Sequence, residues 1–238
     1  MDKEPQVVRA GRWTIHKLDE TDSTNLYLRR MDAPPFTAAV ARTQSAGRGR
    51  LGRSFFSAEG GLYISFCTPF DRTLTLTAKA AVITARAIET AFGIRPGIKW
   101  LNDLVLNGRK VCGILAEGFG ERIITGIGVN VRVPSFADEL KETAGSLLPP
   151  EDLRPDPVGA LCDTLIHLFD TQIESDLLDA YRSLLTTAGQ QVDVIADGRT
   201  LFSGTAAGVN ESYQLLVRCP DGIRTVGTGE VSVRPAKP

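Results

Sequence analysis

Histidine is nearly missing from this chain of 238 residues, which has only His16 and His167, and its cysteines at 67, 112, 162 and 219 are too scattered to form a C-x-x-C pair. That scarcity leaves no basis for a zinc-type site or a disulfide framework, and the cysteines read as small core residues of a reduced, cytoplasmic protein. No apolar run approaches the ~18 residues of a membrane span, and the opening Met-Asp-Lys-Glu-Pro-Gln has no signal core, so neither membrane nor export is expected. An excess of charge of one sign is also lacking: 27 Lys and Arg against 28 Asp and Glu give a formal net charge of -1. A general nucleic-acid or membrane-surface binder usually carries a broad basic excess, so that class is disfavoured. No long-period repeat occurs.

At 42% hydrophobic residues, the chain can bury a full core and has room for one medium domain and a small one. Its most unusual stretch is Gln44-Ser-Ala-Gly-Arg-Gly-Arg-Leu-Gly-Arg-Ser-Phe-Phe56, where Gly47, Gly49 and Gly52 alternate with Arg48, Arg50 and Arg53. Glycine permits positive φ and close approach of main-chain N–H groups, and arginine brings a permanently charged fork that fits phosphate or carboxylate oxygens. From Arg42 to Arg53 there are four cations and no acid, in a chain otherwise near neutral. Such local charge suits one polyanionic small ligand. The competing reading is a solvated RG-rich loop that touches RNA; against it, the segment is unrepeated and lies between the strand-like runs Ala38 to Ala41 and Leu62 to Phe66.

Before this loop, Trp13 to Leu18 alternates like a half-buried strand and leads into Asp22-Ser-Thr-Asn25 ahead of an apolar-spaced run. Asp22, Ser23 or Thr24 suits a helix N-cap; the cluster is either a cap alone or a polar ligand site at a helix start. After the loop, Thr77 to Phe92 has helical spacing and is closed by Gly93. Asn107-Gly108 lies between two apolar runs, a hairpin signal that puts Lys110 at the start of a strand. Lys99, Asn102, Asp103 and Lys110 interrupt these strands, and a salt bridge of Asp103 with Lys99 or Lys110 is the structural alternative to a functional role. Ile123 to Val131 reads as a central strand whose Gly126 and Gly128 leave room for a ligand or another backbone, and Asn130 adds an amide.

Val158 to Ala188 predicts two helices with a break near Asp176, and Gly189 marks a boundary between residues 1–188 and 189–238. Beyond it, Val192 to Ile195, Thr200 to Ala207, Tyr213 to Arg218 and Ile223 onward alternate as short strands, with Asp197-Gly198 and Asp221-Gly222 as turns. About fifty residues in this pattern predict a small SH3-like β-barrel, too short to be catalytic alone.

Four motifs together resemble the biotin protein ligases: Asp22 to Asn25, Gln44 to Arg53, Lys99-Trp-Leu-Asn-Asp103 with Arg109 to Ile114, and Gly126-Ile-Gly-Val-Asn130. They stand in the family's order over most of residues 15 to 132. Leu101 replaces a frequent Pro, and Phe55 a frequent Trp. The resemblance implies an α+β fold: a mixed sheet with flanking helices, of the class II synthetase-like biotin/lipoate ligase type, plus the small SH3-like domain. It implies ATP-dependent formation of biotinyl-5′-AMP, with Mg²⁺ accompanying ATP, and transfer of biotin to a lysine of a biotin carboxyl carrier domain. Lys110, Arg48 and Asp103 would be the catalytic residues, and no residue is assigned to a metal. Ser23, Thr24, Asn25, Gln44, Gly47, Arg48, Lys110 and Gly113 would hold biotin. Arg48, Arg50, Arg53, Phe55, Asn102, Lys110 and Asn130 would hold the nucleotide. Some relatives open with a DNA-binding domain; here the catalytic motifs start close to Met1, so a cytoplasmic ligase without DNA binding is expected, as a monomer or homodimer. A lipoate-type ligase is the nearest rival, though its Arg-Arg and Ser-Gly-Gly-Gly phosphate loop has no counterpart here, and a non-enzymatic biotin- or nucleotide-binding module is the other.

Overall fold

The computed structural model describes residues 4–70, 73–227 and 231–235; Met1 to Lys3 of the polar N-terminal stretch lie outside them. Eight strands form one sheet: β1 (Gln6–Ala10), β2 (Trp13–Thr21), β3 (Thr37–Gln44), β4 (Gly61–Pro69), β5 (Gly97–Lys99), β6 (Asp103–Leu106), β7 (Arg109–Phe119) and β8 (Arg122–Asn130). Their order is β1-β2-β3-β4-β8-β7-β6-β5, and only β2 and β3 run parallel. That one parallel pair requires a crossover, supplied by the short helix α1 (Thr24–Arg30). The mixed sheet is therefore the one expected from the motifs.

Strand periodicity sorts the side chains between two faces. Leu62, Ile64 and Phe66 of β4, with Ile123, Ile127 and Val129 of β8, join the main core. Helices α2 (Thr73–Phe92), α3 (Pro157–Gln172) and α4 (Leu178–Leu184) cover this face. Ala80, Ala81, Thr84 and Ala87 of α2 are wholly buried, and such small side chains let the helix lie between the sheet and α3. Asp156 caps α3 by accepting from Gly159 N at 2.9 Å, with Pro157 in the first turn. Phe66 and Phe169 stack at 4.1 Å, and Trp13 meets both edge-on. The opposite face holds a smaller cluster, Leu28, Ala33, Ala39, Cys67 and Ile124, under α1.

The Asn107-Gly108 turn forms as predicted: both residues have positive φ, 51° and 77°, as a type I′ turn demands, and Lys110 follows in β7. The break between the two late helices covers residues 173–177. A second sheet comprises β9 (Gln191–Ala196), β10 (Arg199–Val209), β11 (Leu215–Cys219), β12 (Gly222–Val226) and β13 (Val231–Pro235). Four strands meander and the fifth returns beside the first, in the order β12-β11-β10-β9-β13 with every pair antiparallel. Pro220-Asp221 occupies the last turn, so Gly222 already pairs with Cys219; the predicted Asp221-Gly222 turn is one residue late. Val192, Val194, Leu215 and Val217 continue the main core. Among the described residues, no helix is long and apolar enough to cross a membrane.

Replacing Phe169 by Ala removes the stacked ring from the α3–sheet contact and should cost about 3–5 kcal/mol of stability. Urea unfolding measures this; a loss below ~1 kcal/mol would mean the aromatic cluster does not hold α3.

Candidate active site

Three glycines make a trough in the sheet face beneath α1. Cross-strand register places Tyr63, Gly128, Gly113 and Asp103 in one row over β4, β8, β7 and β6, and Ser65, Gly126 and Leu115 in the next. A methyl group at Gly128 would come within 2.6 Å of the Phe55 ring, and one at Gly113 within 2.9 Å of the same ring. At Gly126 it would collide with the Asn25 amide. The glycines serve here by lacking a side chain, and none of the three has positive φ.

One end of the trough is polar. Ser23, Thr24 and Asn25 are buried at the start of α1, and Ser23 stands at the N-cap without making a side-chain capping bond. Thr24 donates through its N–H and its hydroxyl to Gln44 Oε1, at 2.8 and 3.1 Å. Ser65 Oγ lies 2.6 Å from both Thr24 Oγ1 and Asn25 Oδ1. Gln44 Nε2 donates to Ser57 Oγ at 2.9 Å, and that hydroxyl donates to Phe55 O at 3.0 Å. Asn25 Nδ2 donates to Glu117 Oε2 at 2.9 Å, and Glu117 pairs with Arg48 at 3.1 Å. This chain of bonds joins both ends of the arginine loop to α1. Asp22 takes another part: Arg30 grips it with two bonds at 2.5 and 2.9 Å and holds its carboxyl below the usual range, and Asp22 Oδ1 accepts from Ser23 N.

The loop folds back on itself as a small hairpin. Phe55 N donates to Gly47 O at 2.8 Å, Gly49 N donates to Arg53 O at 2.7 Å, and Arg48 bridges Ser54. Gly52 has positive φ, 70°, and so does its non-glycine neighbour Leu51, at 57°. Gly47 serves differently: a Cβ there would run into Phe55 O and Ser57 Oγ. Arg50 reaches across to Asn102, donating from Nη1 to Oδ1 at 3.3 Å. Burial lowers the pKa of this guanidinium, Asp103 opposes that shift, and Arg53 reinforces it. Arg53 lies on the exposed side of the loop.

At the other end, Lys110 Nζ makes an ion pair of 2.7 Å with Asp103 Oδ1 and lies 5.7 Å from the centre of the Phe55 ring. Asn102 is held on β7 by Nδ2 to Ile114 O, 2.9 Å, and by Ile114 N to Asn102 O, 3.0 Å. Asn130 Nδ2 donates to Gly145 O at 3.1 Å, while its buried Oδ1 has no partner among the described residues.

Two cavities meet at Gln44 and Phe55. One, of about 30 Å³, lies in the trough between Ser23, Arg48 and Gly126. The other, of about 800 Å³, opens beside Lys99, Asp103, Lys110, Asn130 and Phe136. Phe55, expected on the nucleotide side, thus borders both. Sequence reasoning missed Glu117, Ser57 and Ser65. For Glu117 a signal existed, since Gly113, Leu115 and Glu117 alternate onto one face of β7. Ser57 and Ser65 carried none.

The Biotin/lipoate A/B protein ligase family matches residues 17–133. The chain is 32% identical over 234 residues to the bifunctional ligase/repressor BirA of Bacillus subtilis, covering 91% of this chain and 72% of that one. The biotin--[acetyl-CoA-carboxylase] ligase of Paracoccus denitrificans is 28% identical, with coverages of 90% and 98%. Biotin protein ligase from Aquifex aeolicus, solved with biotin and ATP, superposes with a TM-score of 0.81 at 30% identity over 93% of this chain and 99% of that one. With these likenesses added to its glycine trough and arginine loop, the chain belongs to the Biotin/lipoate A/B protein ligase family, among its biotin protein ligases.

Proposed function

We propose that the protein is an ATP-dependent biotin protein ligase that joins biotin to a lysine of a carboxyl carrier domain through biotinyl-5′-AMP. The observation that carries this reading is the trough itself. It is floored by glycines, ends in the hydrogen-bonding set of Ser23, Thr24 and Gln44, and runs toward Lys110 and a cavity of nucleotide size. A flat bicyclic ring with a ureido group needs such a slot, polar at its closed end and cationic where its carboxylate emerges.

In the first step, a biotin carboxylate oxygen attacks the α-phosphorus of ATP, the bond to the bridging oxygen breaks, and pyrophosphate leaves with the electron pair. Two anions must approach each other, so cations fixed between them are the main catalytic contribution and positioning is the second. Lys110 bridges the carboxylate and the α-phosphate. Arg48 and Arg50 close over the adenylate, and the exposed Arg53 takes the leaving pyrophosphate. Asn102 sets the place of Arg50, while the unpartnered Oδ1 of Asn130 suits an adenine amino or ribose hydroxyl group. In the second step, the carrier lysine amine attacks the acyl carbon and AMP leaves; Asp103 orients the amine and accepts its proton.

Among the described residues, no three His, Cys, Asp or Glu side chains converge. Mg²⁺ then fits as an ion carried on the ATP phosphates with one or two carboxylates at most, where it would neutralise phosphate charge. We assign catalysis to residues 1–188 and assistance in carrier docking or site closure to residues 189–238. The four free, buried cysteines suit the reducing cytoplasm.

Biotin-dependent exchange of labelled pyrophosphate into ATP tests the reading, because a mere binding module cannot support it. Lys110→Ala should lower exchange by about 10²–10³-fold with melting unchanged; normal exchange by this variant would refute the bridging role. Glu117→Gln removes the counter-charge of Arg48 yet keeps an oxygen for Asn25. Bound adenylate should then escape up to about fivefold faster, the scale of a half-exposed ion pair. Streptavidin staining of serum albumin incubated with enzyme, biotin and ATP reports the escape; labelling equal to wild type would mean that Glu117 has no part in retaining the adenylate.

A further inference from the structure

The active-site turn between β5 and β6 consists of Trp100, Leu101 and Asn102, and its hydrogen bonds come from far along the chain. Tyr181 of α4 donates its hydroxyl to Leu101 O at 3.0 Å. Thr187 Oγ1 accepts from Trp100 N at 2.9 Å, and Tyr213, at the edge of the second sheet, accepts from Trp100 Nε1 through its backbone oxygen at 3.0 Å. Tyr181 and Tyr213 meet edge-to-face at 5.3 Å. Tyr181 is wholly buried, and Trp100, Leu101, Thr187 and Tyr213 are nearly so. Burial pushes the Tyr181 phenol well above its ordinary range, so it stays a donor.

Asn102, which ends the turn, and Asp103, which starts β6, point into the site. Asn102 receives Arg50, and Asp103 pairs with Lys110. Leu101 O and Asn102 N belong to one peptide plane, so a bond that fixes the carbonyl also fixes where Asn102 starts. Without Tyr181, Leu101 O would be a buried acceptor with no donor, and the turn would have to move to find one. Core packing alone does not require a phenol here, because the Tyr181 ring already makes the apolar contact.

We propose that Tyr181 is a positioning residue for the ligase reaction, holding Asn102 and Asp103 in place through its bond to Leu101 O. The inference rests on the ligase reading given above. Tyr181→Phe keeps the ring and deletes the donor. It should raise the KM for ATP and lower kcat of pyrophosphate exchange, each by roughly three- to tenfold, about what one hydrogen bond is worth. The KM for biotin should stay unchanged, because Ser23, Thr24 and Gln44 are anchored elsewhere. Thr187→Val, which deletes the acceptor of Trp100 N at the same bulk, should give the same signature and serves as the deciding variant if Tyr181→Phe does not fold. Arg182→Ala is the control: it severs a bond from Arg182 Nη2 to Val209 O, 3.3 Å, between α4 and the second sheet without touching the turn. It should lower Tm and leave both KM values and kcat at wild type. Wild-type KM and kcat in the folded Tyr181→Phe and Thr187→Val variants would overturn the proposal, as would a loss that affects biotin and ATP alike or that Arg182→Ala reproduces. If the wild type itself supports no biotin-dependent exchange, the ligase reading fails, and the positioning role falls with it.

Discussion

Everything in the site depends on a missing layer of side chains. A sheet face under a helix is normally filled, since unfilled volume forfeits packing. Here Gly113, Gly126 and Gly128 lie side by side on β7 and β8, and the space that they release is taken by the ring of Phe55 and the amide of Asn25. The register must be right for this, because a one-residue slip of β7 would replace Gly113 with Cys112 or Ile114. The tight Gly120-Glu121 turn, with Phe119 paired to Arg122, holds the register of β7 on β8, and the Asn107-Gly108 turn at the other end of β7 brings Lys110 to the mouth of the trough. The two turns that bound β7 therefore set, one the shape of the slot and the other the position of its cation.

Charge in the site is balanced pair by pair. Arg48 meets Glu117 and Lys110 meets Asp103, and each pair is partly exposed, so neither is worth much as a stabilising contact. Their value lies in orientation. Each carboxylate fixes the direction in which its cation stands at the rim of the trough. Glu117 also bonds Asn25, so the arginine loop is tethered to α1 from the side of Arg48 as well as through Gln44 and Ser57.

Much of this was legible in the chain, and the reasons differ by residue. Asn107-Gly108 was readable because few residue pairs accept two successive positive φ values. The lone basic window was readable because nothing else in the sequence resembles it. β1 went unread: Gln6 to Ala10 is a short edge strand with no clean alternation of burial. Tyr213 was placed in a strand for its aromatic character, yet it has φ 58° in a turn organised by Asn210 Oδ1, which accepts from Ser212 N and Gln214 N. The loop glycines were grouped together, although Gly52 meets a conformational need and Gly47 a steric one. The bonds among Glu117, Asn25, Ser65 and Thr24 join residues up to 92 positions apart, the longest being that from Asn25 to Glu117. No local pattern announces such a network.

The two cavities and the ring between them set a condition on how the site can work. The Phe55 ring packs against Gly113 and Gly128 and covers the floor of the trough. A ligand lying against those glycines must displace the ring, which can swing aside about its side-chain torsions while the bonds from Phe55 N to Gly47 and from Ser57 to Phe55 O hold its main chain in place. The hairpin that carries Arg48 and Arg50 can therefore keep its main-chain bonds while the ring moves. Opening of the trough thus asks for a change in one side chain, and because Phe55 lines both cavities, the ring that leaves one of them remains at the border of the other.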